Sequence, residues 1–157
     1  MSNLKVDEQF MSQALEEART AGNESNWAMG CVIVIDGEVV AREHNTGYTD
    51  GNRLAHAELK ALVEARELLE QNKGKATLYT TYEPCPMCFG AIVMMKIGRV
   101  VTGVDLDGSG CLGMKEALPP FFQQEKFQFD VTRGVLAEEC ERIYKQSQVG
   151  KKHLGKI

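Results

Sequence analysis

From Asp7 to Ala21 the apolar residues Phe10, Met11, Ala14, Leu15 and Ala18 recur every three or four positions, the stripe of an amphipathic helix, and Gly22 closes it. Cys31 to Ile35 is then an unbroken apolar run, Asp36-Gly37 is a two-residue hairpin turn, and Glu38 to Arg42 reads as the returning strand. His44 to Arg53, rich in Asn, Gly, Thr and Asp, has no periodicity and reads as a loop able to hold a ligand. Helical spacing resumes from Leu54 to Glu70 through Ala55, Leu59, Leu62, Val63 and Leu69, and Gln71 to Gly74 ends it. Ala76 to Tyr82 is rich in Thr and Tyr, which suit a strand. Pro86 fits the first turn of a helix, predicted to reach Met95. Arg99 to Val104 and Phe127 to Val131 read as further strands, joined by a glycine-bearing connection, and Val135 to Gln146 as a closing helix. This order predicts an α/β fold: a three-layer α/β/α sandwich with a mixed five-stranded sheet.

Composition narrows the setting. A chain of 157 residues normally makes one domain, and we expect a single domain over residues 1–157. With 43% hydrophobic and 25% charged residues, the chain has the balance of a globular protein. It has neither a membrane-length apolar stretch nor an apolar leader, which points to the cytoplasm and to no membrane partner. The five cysteines are odd in number, and Cys85 and Cys88 form a C-x-x-C pair in that setting, so metal or redox chemistry is expected rather than disulfides. The formal net charge of −4 speaks against a surface that grips nucleic acid over its whole extent. One basic cluster, Lys145, Lys151, Lys152, His153 and Lys156, sits in the tail and reads as a solvated, frayed end.

Two segments carry the candidate chemistry: Ala55-His56-Ala57-Glu58 and Glu83-Pro84-Cys85-Pro86-Met87-Cys88, each where a loop or strand feeds a helix. Cysteines three apart on a helix that begins at Pro86 present both sulfurs on one side, and a helix N-terminus favours their thiolate forms. Two sulfurs and the His56 imidazole select zinc, and three protein ligands leave the fourth tetrahedral position to water, as in catalytic sites. A fourth ligand from His44, Cys31, Cys111, Cys140 or His153 would instead make a closed structural site. Glu58, near the same helix start, is placed to serve the water as base. The alternatives to an enzyme are a zinc-clamped binding module and a redox C-x-x-C protein. The pair does not follow a first strand, as the thioredoxin-like arrangement requires.

The order H-x-E then P-C-x-x-C resembles the signature of the zinc nucleobase deaminases, and the resemblance to the cytidine deaminase superfamily spans roughly Asp7 to Gln146. It implies zinc held by His56, Cys85 and Cys88, proton transfer by Glu58, and substrate contacts from the Asn45 side chain and the Ala57 backbone amide. Trp27, the single tryptophan, stands before the first strand as a candidate for stacking on the base, with a core anchor as the other reading. The Glu83 to Ile92 run is similar to guanine deaminases, Thr77 to Thr81 to cytosine deaminases, and Gly134 to Cys140 to tRNA wobble adenosine deaminases. Gly51-Asn52-Arg53-Leu54 departs from the last group, which usually has Asp-Pro there. With the acidic charge balance, this favours a hydrolase that releases ammonia from a free nucleobase or nucleoside, such as guanine or cytosine. A tRNA wobble adenosine deaminase is the alternative, so tRNA ranks below a small molecule as partner. The resemblance also implies a homodimer.

Overall fold

The computed structural model describes residues 3–156. Its centre is a five-stranded sheet in the order β2-β1-β3-β4-β5, formed by β1 (Gly30–Ile35), β2 (Glu38–His44), β3 (Thr77–Tyr82), β4 (Arg99–Val104) and β5 (Asp130–Thr132). β1 runs antiparallel to both β2 and β3, whereas β3, β4 and β5 are mutually parallel, so the sheet is mixed as expected. Asp36 (φ 50°) and Gly37 (φ 81°) both lie in the left-handed region, which a type I′ hairpin requires.

Alternation along β1 sorts the molecule into layers. Cys31, Ile33 and Ile35 face one core with Ala57, Ala61 and Leu62 of α2 (Ala57–Glu64), Leu69 of α3 (Arg66–Gln71) and Phe89, Ile92 and Val93 of α4 (Pro86–Met94). Val32 and Val34 face the other core with Phe10, Met11, Ala14, Leu15 and Ala18 of α1 (Asn3–Asn23) and Cys140, Ile143 and Tyr144 of α5 (Ala137–Gln146). The predicted apolar stripe of α1 is thus its buried face. Asp7 joins it there: its carboxylate accepts from both Arg99 guanidinium nitrogens (2.8 and 2.7 Å) and from the Tyr79 hydroxyl (3.0 Å), tying α1 to the sheet.

Three predicted elements are corrected. The helix expected from Leu54 starts only at Ala57, because the Leu54 N–H donates to Asn52 Oδ1 (3.0 Å) and the Thr46 N–H to the Ala55 carbonyl (3.1 Å), holding the lead-in as a loop. It also divides at Ala65 into α2 and α3. The fifth strand is shifted to Asp130–Thr132, since Phe127 closes a 3₁₀ turn and buries its ring with Phe129 in the core instead. The tail is not frayed: Ser147 caps a further helix, α6 (Gln148–Leu154), its Oγ accepting from the Gly150 N–H at 3.0 Å. Among the described residues, no helix is long and apolar enough to cross a membrane.

Candidate metal centre and pocket

The lead-in loop that shortens α2 leaves His56 as its N-cap, with extended backbone (φ −75°, ψ 147°), and Cys85 caps α4 in the same manner (φ −70°, ψ 172°). Both helices lie on one face of the sheet, so their N-termini meet. His56 Nδ1 stands 3.6 Å from Cys85 Sγ and 3.6 Å from Cys88 Sγ. Ligands about 2.3 Å (sulfur) and about 2.0–2.1 Å (nitrogen) from a tetrahedral ion stand roughly 3.6 Å apart, so the spacing fits zinc. These three residues are the group of potential metal ligands that the described residues bring together; His44, Cys31, Cys111, Cys140 and His153 do not join it. The closed four-ligand site is therefore not formed.

Protonation agrees with the donor set. The hydrogen bond from Cys88 pulls the Cys85 thiol down to about 4 against its burial, with His56 helping, while the same bond and burial push Cys88 well up. His56 is raised, chiefly by its bond to Cys85. Three groups thus compete for protons at one point, and a divalent cation resolves that competition by supplying the positive charge the second thiolate needs.

Glu58 is 4% exposed. The Thr80 hydroxyl donates to its Oε1 (3.1 Å), and the Cys88 thiol lies 3.8 Å from Oε2. Burial raises its pKa, and a backbone hydrogen bond and the His56 charge partly offset that. One carboxyl oxygen is thereby fixed by the sheet and the other directed at the metal ligands.

Two adjoining cavities open here. The inner one, about 230 Å³, is lined by His56, Glu58, Cys85, Asn45 and Trp27, and also by Asp107, Tyr144 and His153. The outer one, about 540 Å³, shares Trp27, Asn45 and His56 with it and adds Gly47, Tyr48, Gly51 and Arg53. Asn45 serves a turn and the cavity at once: its Oδ1 accepts from the Gly47 N–H (2.9 Å), while the residue borders both spaces. Ala57, first in α2, keeps a backbone N–H without an intrahelical acceptor.

Sequence reasoning missed the far wall. His153 on α6 lies between the Tyr144 hydroxyl (2.6 Å from Nδ1) and Asp107 (Oδ2 3.2 Å from Nε2), and its ring meets Trp27 edge to face with centroids 5.0 Å apart. Asp107 also accepts from the Tyr82 hydroxyl at 3.1 Å, which holds it in the cavity wall. Ser147 followed by Gly150 was the available signal, a helix restart that returns the tail to the site.

The family model for the cytidine and deoxycytidylate deaminase zinc-binding region matches residues 4–104. A tRNA-specific adenosine deaminase of Bacillus subtilis (strain 168) is 42% identical over 137 residues, covering 85% of this chain and 83% of that protein. Another, from Agrobacterium fabrum, is 38% identical over 140 residues, covering 87% and 90%. A solved structure from work on A-to-I editing by tRNA:A34 deaminases at the wobble position superposes with a TM-score of 0.71 at 36% identity, covering 86% of this chain and 98% of that one. The guanine deaminase of Nitrosomonas europaea superposes with a TM-score of 0.69 at 24% identity, covering 87% and 81%, a likeness of fold alone. These findings overturn the expectation of a free-base or nucleoside substrate and the ranking of tRNA below a small molecule. The relatives that share most of their length and over a third of their residues with this chain are named for tRNA, whereas the free-base enzyme shares the architecture.

Proposed function

Because the chain belongs to the cytidine and deoxycytidylate deaminase zinc-binding family and is thereby a zinc-dependent hydrolase of C–N bonds, we propose that it acts on an adenosine in a tRNA anticodon, yielding inosine and ammonia. The observation that carries this reading is the 42% identity, over 85% of the chain, with a protein named for that substrate. A second cavity beside the first supports it, since a single base has no use for the extra space.

His56 Nδ1 and the sulfurs of Cys85 and Cys88 would hold the zinc, which when bound supplies the Lewis acidity that brings a water pKa from 15.7 towards about 7. Glu58 takes a proton from the attacking water and delivers it to N1 of the adenine ring as the C6–O bond forms. The same carboxyl then carries the second proton to the exocyclic nitrogen, and the C6–N bond breaks to release ammonia. Thr80 keeps Oε1 still, so the transfers pass through Oε2, the oxygen on the metal side. Asn45 and the free Ala57 N–H hold the base by its polar edge, and Trp27 forms the apolar side of its slot.

The test is conversion of adenosine to inosine in an anticodon stem-loop with adenosine at the wobble position, alongside free adenine, adenosine, guanine and cytosine. Turnover of the RNA with inert free compounds is expected; the reverse pattern would sink the reading. The homodimer belongs to the same proposal. Exposed Val63, Leu68 and Met94 lie on α2, α3 and α4 and Leu54 on the loop leading into α2, whereas α1 exposes Leu4 alone among its large apolar residues, and light scattering should return twice the chain mass.

A further inference from the structure

Arg42, Arg66, Arg99 and Arg133 each have a carboxylate partner, whereas Arg19, Arg53 and Arg142 have none among the described residues. Two of the unpaired three, Arg19 on α1 and Arg142 on α5, are exposed and line one cavity of about 320 Å³. It lies where the last turn of α1 packs against the α5–α6 junction. A Cβ added at Gly22 would meet the Ser147 Cβ at 3.4 Å. Ser147 is itself fixed, its Oγ donating to the Tyr144 carbonyl oxygen (2.7 Å) and accepting from the Gly150 N–H (3.0 Å). The helices that carry the two guanidinium groups are thereby held together. Among the described residues no carboxylate lines the cavity, and the side-chain amides of Asn23, Gln146 and Gln148, which do line it, make no hydrogen bond. The acids near by are engaged elsewhere or stand apart. Glu16 pairs with Arg42 (2.8 Å), Glu24 with His44 (3.0 Å) and Glu141 with Lys145, while Glu138 and Glu139, one turn before Arg142, neither pair with it nor line the cavity. Two other cavities set acids beside their cations: Glu43, Asp50 and Glu64 beside Lys60, and Glu116 and Asp130 beside Lys115 and Arg133.

Two guanidinium groups at one cavity repel each other, and each presents a planar fork of donors that no protein acceptor fills. A carboxylate has oxygens for one fork only. A tetrahedral phosphoryl group has enough oxygens and charge for both, with further acceptor sites for the amide N–H groups. We propose that this cavity is an oxyanion site that takes a phosphoryl group, held by Arg19 and Arg142 together. It shares no lining residue with the two cavities at the metal centre, so it stands apart from the deamination chemistry. The two regions nonetheless have a common support, because Ser147, in the wall of this cavity, bonds to the backbone of Tyr144, which lines the inner one. The same phosphoryl chemistry is offered by free phosphate and by the phosphodiester backbone of an RNA, and the experiment separates these sources.

The zinc-loaded, isotope-labelled protein is titrated with inorganic phosphate in exchange for chloride at constant ionic strength, while the side-chain N–H resonances of Arg19, Arg142, Gln146 and Gln148 are followed. Saturable shifts are expected at these side chains, half-complete at roughly 1–10 mM phosphate, the affinity of a few charge-assisted bonds at a solvent-facing site. Arg19→Ala and Arg142→Ala should each weaken binding by about tenfold, the loss of one charged hydrogen-bonding group. Arg142→Lys should weaken it less, since the ammonium keeps the charge and loses the fork. An anticodon stem-loop that already carries inosine at the wobble position is then added to the phosphate-saturated protein. Displacement of phosphate, read as narrowing of its phosphorus resonance, assigns the site to an RNA phosphodiester. Arg19→Ala should in that case also flatten the slope of log Kd against log salt by about 0.7 to 0.9. Retention of phosphate assigns the site to a free phosphoryl group; either result supports the site, whatever the substrate of the metal centre proves to be. Shifts that grow linearly with phosphate and never saturate would overturn it, as would wild-type phosphate affinity in a protein carrying both Arg19→Ala and Arg142→Ala.

Discussion

Glu58 and the metal ligands lie within one hydrogen-bonded cluster, so the useful experiments at this scale separate proton transfer from metal retention. Glu58→Gln keeps the Thr80 contact and nearly the same volume, yet it cannot accept a proton. We expect zinc content near wild type and turnover reduced by about 10²- to 10⁴-fold, measured as inosine formed per zinc bound. Cys85→Ser removes one of two soft donors and should fail first in metal analysis, with turnover following zinc content. If Glu58→Gln instead lost its zinc, the carboxyl would be a metal support and the proposed proton path would be wrong. The proposed roles were open to sequence reading because the spacing behind them is local: H-x-E and C-x-x-C each lie within one helical turn. His153 and Asp107 were not, since the long segment between them bears no pattern that tells of their 3.2 Å approach.

That approach is made by an element. α6 returns to the site because Ser147 ends α5, recaps the chain, and brings Gly150 so near α5 that a Cβ there would stand 1.9 Å from the Tyr144 carbonyl oxygen. Gly150→Ala should therefore lift α6 away, destabilising the protein by about 1–3 kcal/mol and withdrawing His153 from Trp27. Trp27 is the single tryptophan, so a red shift of its fluorescence, alongside the fall in denaturation midpoint, reports the movement directly. Unchanged emission would show that α6 does not close the wall. The same scale shows what was legible along the chain. α1 follows from apolar periodicity, the β1–β2 hairpin from an apolar run closed by an Asp-Gly turn, β3 from its Thr and Tyr content, α4 from Pro86 at a first turn, and β4 from a short apolar run. The start of α2 and the position of β5 depend on tertiary hydrogen bonds and aromatic packing, from Asn52, Thr46 and Phe127, that no local preference encodes. The missed α6 is different: its Ser147 cap was visible, but a cluster of lysines outweighed it.

On the proposed RNA reading, net charge misleads at the largest scale, because a formal −4 is a sum over the surface and an RNA loop would meet only one part of it. Much of the acid is already paired: Glu16 and Glu17 with Arg42, Glu43 with Lys60, Asp7 with Arg99, and Glu83 with Arg133. Part of the unpaired positive charge lies at or near the cavities. Arg53 lines the outer one, and α6 carries exposed Lys151 and Lys152 next to the His153 that lines the inner one. A tail read as frayed would leave those lysines anywhere; a docked helix fixes them on the turn that carries His153. Phosphate contacts of this kind release counterions, so KM for the stem-loop should rise with salt. Replacing Lys151 and Lys152 together with alanine should raise KM at low salt and flatten the log–log slope by about 0.7 for each phosphate that no longer meets a lysine. The change should converge with wild type as salt increases, since screening removes what the substitution removes. A slope identical to wild type would mean that α6 meets no phosphate of the stem-loop, and would leave the two cavities as the proposed contact with RNA.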